Sequence, residues 1–249
     1  MPPSEIRKEA REALNGKWKK GVCIVLAYLL LSFVIGLVEG LVGEGSVLYT
    51  IIDLAYLVIS VPLSFGLIIS FTKLKRGEDV KAFGFIKDGL SRFKKSWGIA
   101  FRTFLKLLLP FICVIVVIVL MTSLVIVNTI SSSSNSALSL IGVALYIAVL
   151  VYVVSRALLY TLSYYIGYDN PELSSKECVL KSEELMKGNR GNYFLLELSF
   201  IGWILLACLT LGLGMLWVLP YMQVAAVCFY ERVAKPEIKE SQEEVKIEE

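Results

Sequence analysis

The chain contains no histidine. That removes the side chain that most often acts as metal ligand, general base and activator of a nucleophile near neutral pH. Cysteine is scarce and scattered. Cys23, Cys113, Cys178, Cys208 and Cys228 never come within three residues of one another, so neither a disulfide framework nor a metal-ligand spacing can be read from them. There is no glycine-rich phosphate loop, no carboxylate pair at catalytic spacing in a polar stretch, and no Ser-His or Cys-His set. These absences argue against an enzyme, and no cofactor or metal is expected. A cleaved leader is also missing. The first apolar run, Val22 to Val38, follows a charged stretch and lacks a small-x-small cleavage site, so it reads as a retained anchor.

What the chain has in excess is apolar length. Its 249 residues are 56% hydrophobic with a mean hydropathy of +0.70, and the excess is gathered in long runs that suit lipid rather than a water-soluble core. From Tyr193 to Tyr230 the only charge is Glu197. As one helix this run would reach roughly 57 Å, about twice a bilayer's hydrocarbon thickness. It must therefore turn back, and Thr210-Leu211-Gly212-Leu213-Gly214 is the natural break.

The expected fold is all-α: a polytopic membrane helix bundle of six transmembrane helices, with amphipathic cytoplasmic helices at the interface. Residues 1–20 carry Ile6, Ala10, Ala13, Leu14 and Trp18 at helical spacing among basic residues and read as an amphipathic helix on a membrane surface. The transmembrane domain spans 21–232, with crossings at about 21–41, 47–71, 99–127, 138–166, 193–211 and 213–231. Pro62 in the second crossing and Pro220 in the sixth predict kinks. Two further cytoplasmic helices are expected. One covers 78–97, with Phe83, Ile86, Leu90, Phe93 and Trp97 as its apolar stripe. The other covers 171–187; it opens at Asp169-Asn170-Pro171 and ends at Gly188. Ser131 to Ser134 is a low-complexity linker. The acidic tail, 233–249, cannot bury a core and is expected to be disordered.

Charge gives the orientation. The polar stretches before crossings one, three and five hold six, eight and four Lys/Arg, and the tail region holds four more; the alternate connections hold none. The positive-inside rule then puts both termini in the cytoplasm, and the plasma membrane is the expected location. The segments around Lys17-Trp18-Lys19-Lys20, Arg92-Phe93-Lys94-Lys95 and Lys187-Gly188-Asn189-Arg190 resemble one another. Two explanations are open: three copies of a unit built from a surface helix and two crossings, or a selection for basic and aromatic residues at any such junction.

Asp169-Asn170-Pro171, Ser182 with Met186-Lys187-Gly188, Leu198 through Trp203, the Thr210 to Gly214 break, Leu216-Trp217, Pro220-Tyr221 and Phe229-Tyr230-Glu231 carry a family resemblance. Ser60 to Leu63 with Gly66 and the Phe83 to Trp97 segment fit the same pattern. The chain resembles the uncharacterised integral membrane family called domain of unknown function 975. It is also similar to membrane regions fused to glycerophosphodiester phosphodiesterase domains, without the catalytic domain. The resemblance implies a bacterial membrane protein and supplies no catalytic residue.

Five sets of residues are candidates for function. Arg156 and Glu197 lie at similar depth in crossings four and five, either as an intramembrane polar pair or with Arg156 snorkelling to phosphates. Glu39, Glu44 and Asp53 form an outer acidic group that either binds a cation or is simply solvated. Lys19, Lys20, Arg92, Lys94, Lys95 and Arg190 are expected to contact anionic headgroups of the inner leaflet rather than nucleic acid. Gly36 and Gly40 allow close helix approach. Pro62, Gly212, Gly214 and Pro220 shape the bundle. Two functions compete. One is a non-enzymatic accessory, assembly or envelope-stress factor with a membrane protein partner. The other is a small transporter or permease for a lipid-like or amphipathic molecule, which requires a solvent-connected cavity lined by Arg156, Glu197, Tyr160 and Gln223.

Overall fold

The computed structural model describes the backbone of residues 2–130 and 136–247, and the side chains of 2–123 and 140–234. Eleven helices follow one another among the described residues: α1 (Pro3–Leu14), α2 (Trp18–Val42), α3 (Val47–Arg76), α4 (Gly84–Leu90), α5 (Phe93–Ile130), α6 (Ser136–Leu158), α7 (Ser163–Asp169), α8 (Ser175–Met186), α9 (Arg190–Leu198), α10 (Ile201–Leu209) and α11 (Met215–Ile247). No strand occurs among the described residues. Five helical stretches are long and apolar enough to cross a bilayer: Trp18–Val42, Val47–Arg76, Phe93–Ser123, Leu140–Asp169 and Arg190–Leu209. The chain is a multi-pass membrane protein.

α11 falls outside that set for a physical reason. Its uncharged stretch from Met215 ends at Tyr230, before Glu231 and Arg232, and Pro220, Tyr221 and Gln223 lower its hydropathy further. The last three are tolerable because much of the helix faces protein rather than lipid. Every residue from Val224 to Tyr230 is buried, and Val224, Ala225, Val227, Cys228 and Phe229 are fully so. Around this axis α1, α2, α3 and α10 are packed. Burial is concentrated at the end where Lys and Arg gather. Towards the other end, large apolar side chains of α2, α3, α5, α6 and α10 (Phe33, Leu54, Ile115, Val151 and Leu205 among them) stand exposed, as lipid-facing surfaces should.

Several expectations shift. The helix expected over 78–97 is split at Ser91–Arg92. α4 is short because Gly89 lies flush on the α3 backbone at Pro62, and Phe93 and Trp97 instead begin the crossing. The helix expected from Pro171 starts at Ser175, since the reciprocal bonds between Ser174 and Glu177 form a capping box that satisfies two otherwise orphan N–H groups. The Asn170 side chain instead donates to the Ile166 carbonyl and closes α7. Crossing four breaks after Leu158 and crossing five after Leu198. The tail expected to be disordered continues α11 helically to Ile247; its side chains from 235 on, and the Ser131 to Ser134 linker, lie outside the described residues.

The apolar stripe of α1 is not spent on lipid, whereas Phe83 and Leu90 at the ends of α4 stand exposed. Ile6, Ala10 and Leu14 of α1 are fully buried, against α11 and, less extensively, α3 and α9. α4 packs on α3, and α8 on α5 and α7. α4 therefore caps α3, α8 lies across α5 and α7, and α1 reaches round to α11, so the surface helices close the chain into a ring.

At three weak points of the bundle a side chain from elsewhere repairs the backbone. Pro62 has no N–H, which leaves the Val58 carbonyl free; the Trp97 indole donates to it at 2.9 Å. At the α6–α7 break, the buried Ser182 hydroxyl of α8 donates to the Leu159 carbonyl at 2.8 Å. At the α9–α10 break, Arg7 of α1 donates to the Ser199 carbonyl at 3.2 Å.

Candidate functional site

Where the splayed half of the bundle meets its packed half lies a cavity of about 470 Å³. Val25, Phe71, Tyr165, Tyr193 and Ala226 form its floor; all five are buried. Leu29, Ser64, Thr161, Glu197 and Leu219 line its upper rim, towards the end away from the basic residues. Gln223 and Tyr28 complete the polar lining. The cavity sits where α2, α3, the α6–α7 break, α9 and α11 converge, and the break is what frees Thr161 and Tyr165 to face it.

Of the four residues expected to line such a cavity, Glu197 and Gln223 do so, whereas Arg156 and Tyr160 do not. Arg156 and Glu197 form no pair. Arg156 donates from Nη2 to the Tyr160 hydroxyl at 3.1 Å, and its Nε is buried without a partner. Glu197 lies instead against the Tyr193 phenol one turn earlier on its own helix. The break after Leu158 turns the chain between Arg156 and the cavity, which separates residues that a straight helix would have placed at one level.

The outer acidic residues do not form a metal site: among the described residues no group of three or more His, Cys, Asp or Glu is placed to hold an ion. Glu44 and Asp53 are exposed, and Glu39 Oε1 is buried without a hydrogen-bond partner. The basic residues divide. Lys19 and Lys94 are exposed. Lys20 pairs with Asp79 at 2.6 Å. Arg92 lies over the Tyr168 ring, 4.8 Å from its centroid, and Lys95 donates to the Asn170 carbonyl at 2.7 Å. Arg190 donates to Ser155 Oγ at 3.2 Å. The Thr210 to Gly214 break is present: Leu211 and Gly212 have φ of 55° and 86°, and a Cβ on Gly214 would sit 2.8 Å from Ala207 Cα.

Beneath the cavity floor, towards the basic end, lies a second feature that sequence reasoning missed. Arg76 grips Asp169 with its two terminal guanidinium nitrogens, at 2.7 and 2.8 Å, and reaches Glu231 through Nε at 3.1 Å. Lys75 pairs with Glu231 and with Glu9. Arg232 pairs with Glu9 at 2.8 Å and Glu5 at 3.2 Å, and the Tyr230 hydroxyl donates to Asp169 at 3.0 Å. This ionic clasp ties α1, α3, α7 and α11 across separations of up to 227 residues. Burial raises the Glu9 carboxyl, but the Arg232 hydrogen bond and the charges of Lys75 and Arg232 outweigh it and hold the group below its ordinary range. The signal was there: Asp169 and Phe229-Tyr230-Glu231 stood out as motif residues, and no sequence-local partner explained their charges.

The family model described as "Protein of unknown function (DUF975)" matches residues 1–237. No curated protein and no solved structure matches the chain.

Proposed function

We infer, for a chain that belongs to the DUF975 family of proteins of unknown function, a non-enzymatic plasma-membrane protein that takes a lipid-like or amphipathic molecule into the cavity above the clasp, as a small permease. One observation carries this reading: a cavity of about 470 Å³, within the range of small-molecule sites, holds a carboxylate, an amide and phenols inside an otherwise apolar bundle. Polar groups at such depth are costly unless they serve a pathway or a ligand. In the proposed topology α11 is the sixth crossing and both termini are cytoplasmic, consistent with the gathering of Lys and Arg at one end. The clasp would then seal the cytoplasmic side while the cavity opens outward. Exposed Lys19 and Lys94 would meet anionic headgroups of the inner leaflet.

A second reading, an accessory or assembly factor, draws on the exposed apolar flanks of α5 and α6, which a membrane protein partner could cover.

Native mass spectrometry of the protein in nanodiscs tests the first reading. An adduct of amphiphile mass is expected on the wild type and should be lost in Ala226→Leu, which fills the floor. A wild type that carries no adduct with any lipid or cell extract, or a variant that retains it fully, would remove the support. Topology is checked by labelling single cysteines at Glu44 and Glu5 in intact cells; only the first should react from outside.

A further inference from the structure

Resting on the cavity reading above, we propose that the occupant's head is positively charged: the site takes an amphiphilic organic cation, an ammonium group on a hydrocarbon body. Glu197 is the only charged side chain lining the cavity. No Lys or Arg among the described residues forms an ion pair with it, and the nearest candidate by sequence reasoning, Arg156, is engaged with Tyr160 instead. An anionic head would meet this carboxylate with like charge. A neutral head would leave it without a counter-charge, so that the buried group would have to hold a proton, whereas a cation lets it stay a carboxylate.

A cation supplies what is missing. The walls around Glu197 are suited to it: Tyr28, Phe71, Tyr165 and Tyr193 present aromatic rings to the same space, and ring faces attract ammonium groups through their quadrupoles. Gln223, Ser64 and Thr161 offer oxygen acceptors. Leu29 and Leu219 on the rim lead towards the splayed, apolar half of the bundle, where a hydrocarbon chain can leave the site into lipid. Glu197 shares the rim with Leu29 and Leu219, so a head held at the carboxylate leaves its chain free to run from there towards lipid.

The test uses the full-length protein in nanodiscs and isothermal titration with three six-carbon probes: hexyltrimethylammonium, hexanol and hexanesulfonate, with empty nanodiscs subtracted. The wild type is expected to bind the ammonium at least about tenfold tighter than the alcohol, and the sulfonate weakest of the three. Glu197→Gln should abolish that preference while keeping alcohol binding. Glu197→Asp should retain the preference within a few-fold, and Ser64→Leu at the rim should weaken every probe. If ammonium and alcohol bind the wild type equally, or if Glu197→Gln keeps the preference, the cation assignment is overturned. The cavity reading then survives provided Ser64→Leu still weakens binding. If no probe binds above empty nanodiscs, or Ser64→Leu and Ala226→Leu change nothing, the cavity reading fails too. Should Glu197→Gln not fold, the ranking of the three probes on the wild type decides alone.

Discussion

The close crossing of α4 on α3 makes a quantitative demand on two glycines. A Cβ on Gly89 would overlap the Pro62 carbonyl, and one on Gly66 the Phe85 carbonyl. Both obstacles are backbone, so no side chain can swing aside; α4 itself must move. Overpacking of this kind costs about 1–3 kcal/mol, and complete loss of a buried Phe would cost about 3–5 kcal/mol. α4 carries Phe85, which is fully buried and would lift with the helix. Part of that burial is lost along with the packing, so Gly89→Ala should destabilise by about 2–4 kcal/mol. This is net of the roughly 0.5–1 kcal/mol that Ala gains over Gly inside a helix. Gly202→Ala is the control, because nothing lies within 4 Å of its Cβ position and only the helical gain remains. Reversible unfolding in mixed micelles, followed by tryptophan fluorescence, gives both values. Gly66→Ala should match Gly89→Ala, and the double variant should be far from additive, since both relieve one contact by moving one helix. A Gly89→Ala protein as stable as Gly202→Ala would refute the close crossing, and with it the reason α4 ends where it does.

Three further expectations concern the packed end. The Glu9 carboxyl is held below its ordinary 4.5, so it contributes stability above pH 4.5 that is lost as pH falls through its lower folded value; unfolding midpoints from pH 6 to 3 should fall less steeply in Glu9→Gln than in the wild type. Ser182→Ala leaves the buried Leu159 carbonyl without its donor and should cost about 1–3 kcal/mol, whereas Ser174→Ala, at an exposed cap, should cost about 1 kcal/mol; chemical denaturation separates the two. Cys178 is fully buried, and burial pushes its thiol above the ordinary 9.0. As the sole cysteine it should resist a water-soluble maleimide until denaturant is added, and rapid labelling of the native protein would contradict the docking of α8.

Much of the architecture could be read from the amino acids, because long apolar runs and clustered Lys/Arg report directly on the solvent around them. The first crossing was expected over 21–41 and is found at Trp18–Val42; the second, expected over 47–71, runs through Val47–Arg76. The Gly212 break was equally plain, since a left-handed φ there needs glycine. What stayed hidden depends on partners distant in sequence. Nothing near Ser182, Trp97 or Arg7 says that each repairs another helix's backbone. The Arg156–Glu197 pair failed because its geometry assumed an unbroken fourth crossing. Hydropathy alone also misjudged α1: an amphipathic helix with a basic face looks the same whether its apolar stripe meets lipid or, as here, the axial helix. The cavity was half legible. Glu197 and Gln223 were marked by their polarity in apolar runs, but nothing in the sequence set the phenols of Tyr28 and Tyr165 apart.

The ring closure of the surface helices has a consequence for biogenesis. α1 leaves the ribosome well before α11, yet most of the surface that covers Ile6 and Leu14 belongs to α11, more than two hundred residues later. At about 5–20 residues per second, translation takes on the order of ten seconds or more to deliver it. Throughout that interval only the smaller surfaces of α3, and later α9, can cover part of that apolar stripe, while the first crossings are already being inserted. The leading segment is thus also the last to be secured.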